Sequence, residues 1–282
     1  MKDINNKKPV NSEILTVRSD VSQLAKAILE ITDIASAHGV KSWLCYGALL
    51  GMVRENALLP WNNDAELACW YEAGMDKKFI DITDSLNKRG YRAFYYSSKG
   101  ALNVYYNEQV VVNLNAFWRQ GIYAVRPHET PSDTGNASLI SQLFYWSGVL
   151  MSAYTTPRLK AFCYPSTIKK KFKELSVSML RYLPLRIRSE LTYFCFETSR
   201  KLGGSFQKTG IPKKYFESFS LINFYGGKVL TPDLSEELIE FIYGCEWRTP
   251  KDKWSYYKKE NKSKTSIKFI DEMWNYRSMD IV

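Results

Sequence analysis

Histidine and cysteine are scarce in this sequence, and neither is arranged as a metal or disulfide framework requires. The 282 residues include two histidines and five cysteines, and no two cysteines form a CxxC pair. An odd number of widely spaced cysteines excludes a disulfide-stapled secreted fold, and so few histidines argue against a zinc site. The pattern is typical of a protein of the reducing cytoplasm.

Long apolar runs are also missing. Residues 1–20 carry charges but lack the apolar core of a signal peptide, so we expect a cytoplasmic protein. Residues 134–157 form an uncharged stretch of 24 residues. Ser, Thr, Asn, Gln and Gly are too frequent there for a membrane span, and the stretch predicts a buried or interface-lying helix instead.

Acidic residues are fewer than basic residues, and most of the excess positive charge lies in one segment. The chain has 39 Lys and Arg against 29 Asp and Glu, and residues 158–201 alone contain 11 Lys or Arg and three Glu. This basic segment either packs its apolar stripe on the domain as a solvated helical pair or lies on an anionic membrane surface as a peripheral contact. No recognised nucleic-acid-binding module accompanies the charge, so nucleic acid is not an expected partner.

The apolar periodicity predicts an α/β (α+β) fold with a small mixed β-sheet. A helical pattern over residues 19–38 precedes a strand at "KSWLCYG", a helix at "ALLGMVR" and a strand at "DAELACWY". A helix over Asp76–Lys88 and three β-rich runs follow, and after Gly135 the pattern is largely helical, with a hairpin at "INFYGGKVL". We expect a core in residues 1–135 and a mainly helical region in residues 136–282, packed as one unit.

Two carboxylates stand out because their spacing places them together. Asp64 and Glu66 are two residues apart on a predicted strand, so both project from one face. Paired carboxylates bind hard cations such as Mg²⁺, and Gly47, between a strand and a helix, lets backbone N–H groups approach a phosphate. Arg54 is placed to neutralise phosphate charge. Two acids on a strand are otherwise most often a solvated face.

The segments "YGALLGMVR" and "LPWNNDAEL" resemble the signature of the LicD/fukutin family, within the nucleotidyltransferase-fold superfamily. Residues 211–250 resemble the family's closing segment, which combines an aromatic and basic stretch, a turn with proline, a helix and a final Thr-Pro. The resemblance implies a nucleotidyltransferase-like core.

The resemblance also implies a function. Family members move a phospho-alcohol, such as phosphocholine or a polyol phosphate, from a CDP-linked donor such as CDP-choline to a cell-surface glycan or its precursor, including lipid-linked forms. Lipopolysaccharide, teichoic acid and capsule are the acceptors expected. By the same implication Mg²⁺ or Mn²⁺ is held by Asp64 and Glu66. The donor and its phosphates would contact Tyr46, Gly47, Ala48, Gly51, Arg54 and Trp61. Arg54 could instead support the motif, and Trp61 could instead be a packing residue before the strand.

The sequence also departs from the family pattern. The third catalytic acid aligns with Asn113 of "VNLNAF", and an asparagine can ligate a metal but cannot act as a general base. The family's threonine or serine is replaced by Ala48, and its acids by Asn62 and Asn63. An acid from a nearby loop could substitute as the base; the candidates are Glu108, Glu129 and Asp133. Two alternatives therefore stay open, a degenerate member that binds nucleotide or glycan without turnover and a nucleotidyltransferase that moves an NMP to a protein or small molecule.

Overall fold

The computed structural model describes most of the chain between residues 21 and 267. The described ranges are 21–60, 64–106, 110–127, 138–154, 180, 182–204, 208–250 and 266–267. The helices are α1 (Val21–Ala37), α2 (Tyr46–Glu55), α3 (Met75–Lys88), α4 (Leu139–Met151), α5 (Leu185–Lys201) and α6 (Ser235–Tyr243). The strands are β1 (Ser42–Cys45), β2 (Asp64–Trp70), β3 (Arg92–Tyr96), β4 (Ala101–Tyr106), β5 (Val110–Gln120), β6 (Tyr123–Pro127), β7 (Ala153–Tyr154), β8 (Lys208–Pro212), β9 (Phe219–Phe224), β10 (Gly227–Pro232) and β11 (Ser266–Ile267).

All of these strands belong to one mixed sheet. Its main order is β11-β8-β6-β5-β2-β1-β10-β9, and β4, β3 and β7 continue from β5 as a branch. The pairs β2/β5 and β1/β10 are parallel, whereas the other pairs are antiparallel. This architecture confirms the predicted α/β fold with a mixed sheet. The sheet is wider than the first half of the chain suggested, because β8, β9 and β10 add to it.

Helices α1 and α3 cover one face of the sheet, here called the inner face. Directly paired residues point to the same side of a sheet, so the row Leu44, Leu67, Leu114 and Leu102 runs across this face. All four leucines are buried, as are the side chains that α1 and α3 present to them. Burying an aliphatic side chain of this size contributes about 1.5–3 kcal/mol, so this face holds the main core.

The opposite, outer face carries alternate residues of the same strands. One end of it is closed by aromatic rings: Phe216 lies 5.7 Å from Trp43, 5.9 Å from Trp70 and 5.7 Å from Phe117, measured between ring centroids. Next to this cluster the outer face becomes polar. The polar stretch lies where β1 ends and β2 begins.

The antiparallel helices α4 and α5 cover the outer face over β3. Small residues allow them to approach closely: Ser141 Oγ donates a hydrogen bond to the Ser199 carbonyl oxygen over 2.8 Å, and a Cβ on Gly148 would lie 3.1 Å from the Phe196 ring. Their buried side chains form a second cluster with Phe94 and Tyr96 of β3. Within the uncharged stretch, α4 is therefore a helix that is buried on one side only. Of the basic segment 158–201, residues 158–179 and 181 lie outside the described ranges.

The predicted hairpin forms from β9 and β10. Tyr225 and Gly226 at its tip have φ angles of 45° and 86°, as a tight hairpin turn requires. The Tyr225 hydroxyl accepts a hydrogen bond from the Leu58 backbone N–H over 3.0 Å, and β10 pairs with β1. The closing segment therefore holds the region around α2. Among the described residues, no helix combines the length and apolarity needed to cross a membrane.

Candidate functional site

A row of polar side chains crosses the outer face on four neighbouring strands. The register pairs Cys45 of β1 with Glu66 of β2, Glu66 with Asn113 of β5, and Asn113 with Asn103 of β4. Asp64 precedes Glu66 by two residues and projects from the same face. The two acids predicted from their spacing therefore share a face, and Asn113 is the direct neighbour of Glu66.

Asp64 and Glu66 have different surroundings. Asp64 is exposed at the start of β2, and Asn113 Nδ2 lies 3.5 Å from its Oδ2, a long contact. Glu66 lies deeper, with its side chain 25% exposed and its Oε1 atom 3.8 Å from Arg126 Nη1. Burial raises the pKa of Glu66 to about 7, the positive charge of Arg126 opposes this rise, and Asp64 adds to it. The pair thus combines a solvated carboxylate, Asp64, with a carboxyl group, Glu66, whose pKa lies near neutral pH.

Arg126 is one site residue that the sequence reasoning missed. It lies on β6, is only 12% exposed, and its guanidinium also stands 5.7 Å from the centre of the Tyr46 ring. Strand β5 pairs with β4 along its first half and with β6 at its end, and this change of partner brings Arg126 to the polar row. The available signal was an arginine within a short β-rich run.

Asn115 was also missed. It lies two residues beyond Asn113 on the same face of β5, is 3% exposed, and its Nδ2 atom has no hydrogen-bond partner in the described structure. A buried amide donor without an acceptor costs about 1–3 kcal/mol. This face therefore offers a donor group next to the acids.

The strand-to-helix junction stands beside Glu66. Cys45 ends β1, and Tyr46 begins α2 with a φ angle of 47°, a left-handed conformation that residues other than glycine rarely adopt. The N-cap residue Cys45 makes no side-chain cap and the first turn contains no acid. Backbone N–H groups at such a helix start favour an anion. Gly47 lies in this turn, and Ala48 is buried beneath it.

Gly51 and Arg54, predicted as donor contacts, have structural partners. A Cβ on Gly51 would lie 2.5 Å from the Ala57 carbonyl oxygen, so the glycine lets the loop after α2 pack against the helix. Arg54 is 9% exposed, donates from Nη1 to the Trp247 carbonyl oxygen over 3.2 Å and pairs with Glu55 over 2.7 Å. These contacts explain both residues as supports of the motif. A role of either in donor binding stays a prediction.

Several predicted residues lie outside the described ranges. They are Trp61, which was expected to contact the donor, the neighbouring Asn62 and Asn63, and the three candidate bases Glu108, Glu129 and Asp133. Their roles stay predictions.

The donor atoms of the polar row fit a hard divalent cation. Within the described ranges, no three His, Cys, Asp or Glu side chains gather as a metal cluster. The row instead offers two carboxylates and the amide of Asn113, and Mg²⁺ is commonly held by one or two carboxylates, with water and substrate phosphates completing its shell. Asp64, Glu66 and Asn113 are therefore the residues that could hold a cation of this kind.

Comparison with known protein families identifies what the region around the polar row is similar to. A profile described as "LicD/FKTN/FKRP, nucleotidyltransferase domain" matches residues 39–131, which include the polar row on β1, β2, β4 and β5 and also Arg126. No curated protein sequence matches the chain.

Two solved structures of the antibiotic-resistance factor ANT(2'')-Ia are similar at 13% identity. The solution structure has a TM-score of 0.29 and the match covers 64% of this chain and 93% of that one. The crystal structure with adenylyl-2''-tobramycin has a TM-score of 0.28, with coverage of 64% and 98%. Likeness at this level supports no statement about activity.

The profile spans both segments that carry the sequence resemblance. "YGALLGMVR" contains the junction between β1 and α2, and "LPWNNDAEL" leads into the acids of β2. Residues 39–131 of this chain therefore match the nucleotidyltransferase domain of the LicD/FKTN/FKRP family, in agreement with the resemblance of the two segments.

Proposed function

We propose that this protein is a metal-dependent phosphotransferase that moves a phospho-alcohol from a CDP-linked donor to a hydroxyl of a glycan acceptor. The match of residues 39–131 to the family's nucleotidyltransferase domain supports a transferase. The observation that carries the finer proposal is the placement of Asp64, Glu66 and Asn113 on one face beside the start of α2. Phosphoryl transfer depends mainly on positioning and on charge stabilisation, and this arrangement can supply both.

Two features of the chain suit a diphosphate donor. Arg126 brings a permanent positive charge to the polar row, and the uncapped start of α2 presents backbone N–H groups beside it. We propose that both orient the donor phosphates, with Tyr46 held between them. A Mg²⁺ or Mn²⁺ ion at Asp64, Glu66 and Asn113 would neutralise phosphate charge on the donor.

The acceptor step involves an attack by a glycan hydroxyl on the phosphorus that carries the alcohol, with CMP as the leaving group. Asn113 occupies the position next to Glu66 where the family resemblance implies an acid, and an amide cannot take the hydroxyl proton. A positioned base contributes about 10²–10⁴-fold to such a rate. We therefore propose that an acid from a loop, with Glu108, Glu129 and Asp133 as candidates, takes this proton.

A donor screen tests the proposal. CMP release would be measured from CDP-choline and CDP-linked polyols with Mg²⁺ or Mn²⁺, with glycan acceptors, for the native chain, Asp64→Ala and Asp81→Ala. Asp81 lies on α3 and pairs with Lys77 over 3.0 Å, so it is a matched acid away from the site. We expect release by the native chain and Asp81→Ala and loss in Asp64→Ala. Undiminished release by Asp64→Ala would overturn the mechanism, and a mass gain of one NMP on the acceptor would replace phospho-alcohol transfer by nucleotide transfer.

A second candidate function is nucleotide or glycan binding without turnover. The observation that favours it is Asn113, which is flanked across the strands by Glu66 and Asn103 and stands where the family resemblance implies an acid. Asn113→Asp separates the two possibilities. Tight donor binding without CMP release by the native chain, together with release by Asn113→Asp, would identify a binding protein that lost its base. Release by the native chain favours the enzyme.

A further inference from the structure

The pair α4–α5 exposes an apolar surface on the side that faces away from the sheet. On α4, Leu139, Leu143 and Trp146 follow one another at helical spacing and are 73%, 60% and 46% exposed. On α5, Ile187 and Phe194 are 48% and 59% exposed. We call Leu139, Ile140, Leu143, Trp146, Ile187 and Phe194 the α4–α5 apolar face.

The two helices present this face as one surface. The rings of Phe144 on α4 and Phe194 on α5 stand edge to face with their centroids 6.3 Å apart, which joins the exposed rows. The packing beneath is tight, since Ser141 and Ser199 hydrogen-bond and Arg188 Nε donates to the Met151 carbonyl oxygen over 3.0 Å. A rigid helix pair that keeps this many large apolar side chains in contact with water marks an interaction surface.

Cations border the α4–α5 apolar face. Lys99 Nζ lies 5.6 Å from the centre of the Trp146 ring, and Arg186 and Lys201 are exposed on α5. Helix α4 contains no charged residue, and one acid, Glu190, lies in line with the exposed residues of α5. Residues 155–179, which connect the two helices in sequence, contain six Lys or Arg and one Glu.

We propose that the α4–α5 apolar face docks on the surface of an anionic phospholipid bilayer. A bilayer surface suits both the cations and the apolar side chains. Lipid phosphates attract the bordering cations, and the boundary with the acyl chains accommodates Leu, Ile, Trp and Phe side chains. A symmetric dimer through the same face is a poorer fit. It would bring the cations of both copies together, and among the described residues of α5 the acid in line with the face is Glu190.

The proposal goes beyond the transfer reaction and gives it a location. Phe94 of β3, which packs under α4 and α5, pairs with Asn103, and Asn103 pairs with Asn113. The helix pair and the polar row therefore occupy the same face of the sheet, and the row begins on β4, the strand next to β3. Docking through α4 and α5 would hold the polar row beside the bilayer, where an acceptor with a lipid anchor lies.

Vesicle flotation of the full chain tests the docking without any activity measurement. The vesicles would be phosphatidylcholine alone or phosphatidylcholine with 30% phosphatidylglycerol, at about 0.1 M and 0.5 M salt. The test variant is Leu143→Glu with Phe194→Glu. The matched control is Leu221→Glu, because Leu221 is 63% exposed on β9, at the far edge of the sheet. Circular dichroism and thermal melting would check that each variant folds.

We expect native binding to anionic vesicles that weakens at high salt and a loss of about tenfold or more in the double variant, with Leu221→Glu unchanged. Failure of the folded native chain to float with anionic vesicles overturns the proposal. So does an equal loss in the control. Light scattering after size exclusion tests the alternative of a dimer through this face. If the native chain is a dimer that does not bind vesicles, and the double variant is a monomer, the face is a contact between copies of this chain.

Discussion

Glu66 makes the stability of this protein depend on pH in a direction opposite to the usual one for a carboxylate. Burial raises the pKa of Glu66 from its ordinary value of 4.5 to about 7. Between these pH values the folded protein keeps the proton and the unfolded chain does not, so unfolding releases a proton. Stability therefore falls as the pH rises through this window.

The magnitude follows from the pKa change. A rise from 4.5 to about 7 corresponds to roughly 3 kcal/mol at 1.36 kcal/mol per pH unit. Since a quarter of the Glu66 side chain remains exposed, this figure is an upper bound. Glu66→Gln carries no ionisable group, so its stability relative to the native chain should improve by about 2–3 kcal/mol between pH 5 and pH 8. The melting temperature would move by about 4–10 °C in a protein of this size.

Urea denaturation at pH 5 and pH 8 in the presence of a chelator measures this change. The comparison between the two pH values removes any constant cost of altering the contact with Arg126. Asp81→Asn is the control, because Asp81 lies on α3 with its side chain 42% exposed and is not among the charges that shift the pKa of Glu66. A Glu66→Gln effect that is identical at pH 5 and pH 8 would refute the inference that a buried, protonated Glu66 exists in the folded protein.

A metal titration extends the same measurement. If the ionised carboxylates hold Mg²⁺, the native chain at pH 8 should gain about 1.4 kcal/mol at ten times the dissociation constant, because the ion binds only the folded state. Glu66→Gln should gain less. Equal stabilisation of both proteins by Mg²⁺ would remove Glu66 from the cation site.

Three further predictions concern residues around the site and the core. Gly51→Ala should lower the free energy of unfolding by about 1–3 kcal/mol, measured in urea, because its Cβ would meet the Ala57 carbonyl oxygen at 2.5 Å; an unchanged midpoint would contradict this packing. Asp76→Ala should cost about 2–4 kcal/mol in the same assay, since it leaves two tyrosine hydroxyls without their acceptor. Arg54→Met should lower the free energy of unfolding by about 1–2 kcal/mol, because the contact with Trp247 is lost, and should leave the donor dissociation constant unchanged. A weaker affinity for the donor would instead show that Arg54 contacts the donor phosphates.

The local pattern around the acids was predictable from sequence because it depends on strand geometry alone. Alternation along "DAELACWY" places Asp64 and Glu66 on one face wherever the strand lies, and the pattern predicted β1, α2 and β2 in their observed order. The hairpin of β9 and β10 was visible from its glycines. These features are local, so neighbouring residues determine them.

The remaining features depend on contacts between distant parts of the chain. Arg126 reaches Glu66 only because β5 changes its pairing partner, and no residue next to Arg126 reveals that change. Arg54 has the spacing of a phosphate ligand, yet its partner is the backbone of Trp247, 193 residues later. The apolar face on α4 and α5 was hidden for the same reason. Periodicity predicts an amphipathic helix but not which side a neighbouring element leaves uncovered.

The cost of Glu66 bears on whether the protein is an enzyme. Ionised Glu66 destabilises the folded state by up to roughly 3 kcal/mol above neutral pH, a sizeable part of the 5–15 kcal/mol that holds a typical domain together. A glutamine would avoid this cost in a protein that only had to fold. An energetic cost of this kind is typical of functional sites that need a charged group. At the adjoining junction Tyr46 adds a left-handed backbone conformation, which is also typical of functional sites. A bound cation would relieve the cost at Glu66, because a positive ion favours the ionised carboxylate. This energetic cost supports the proposal that Glu66 is ionised when the site is occupied. The identity of the base then decides whether the proposed transfer turns over, because the resemblance aligns Asn113 with the family's third acid.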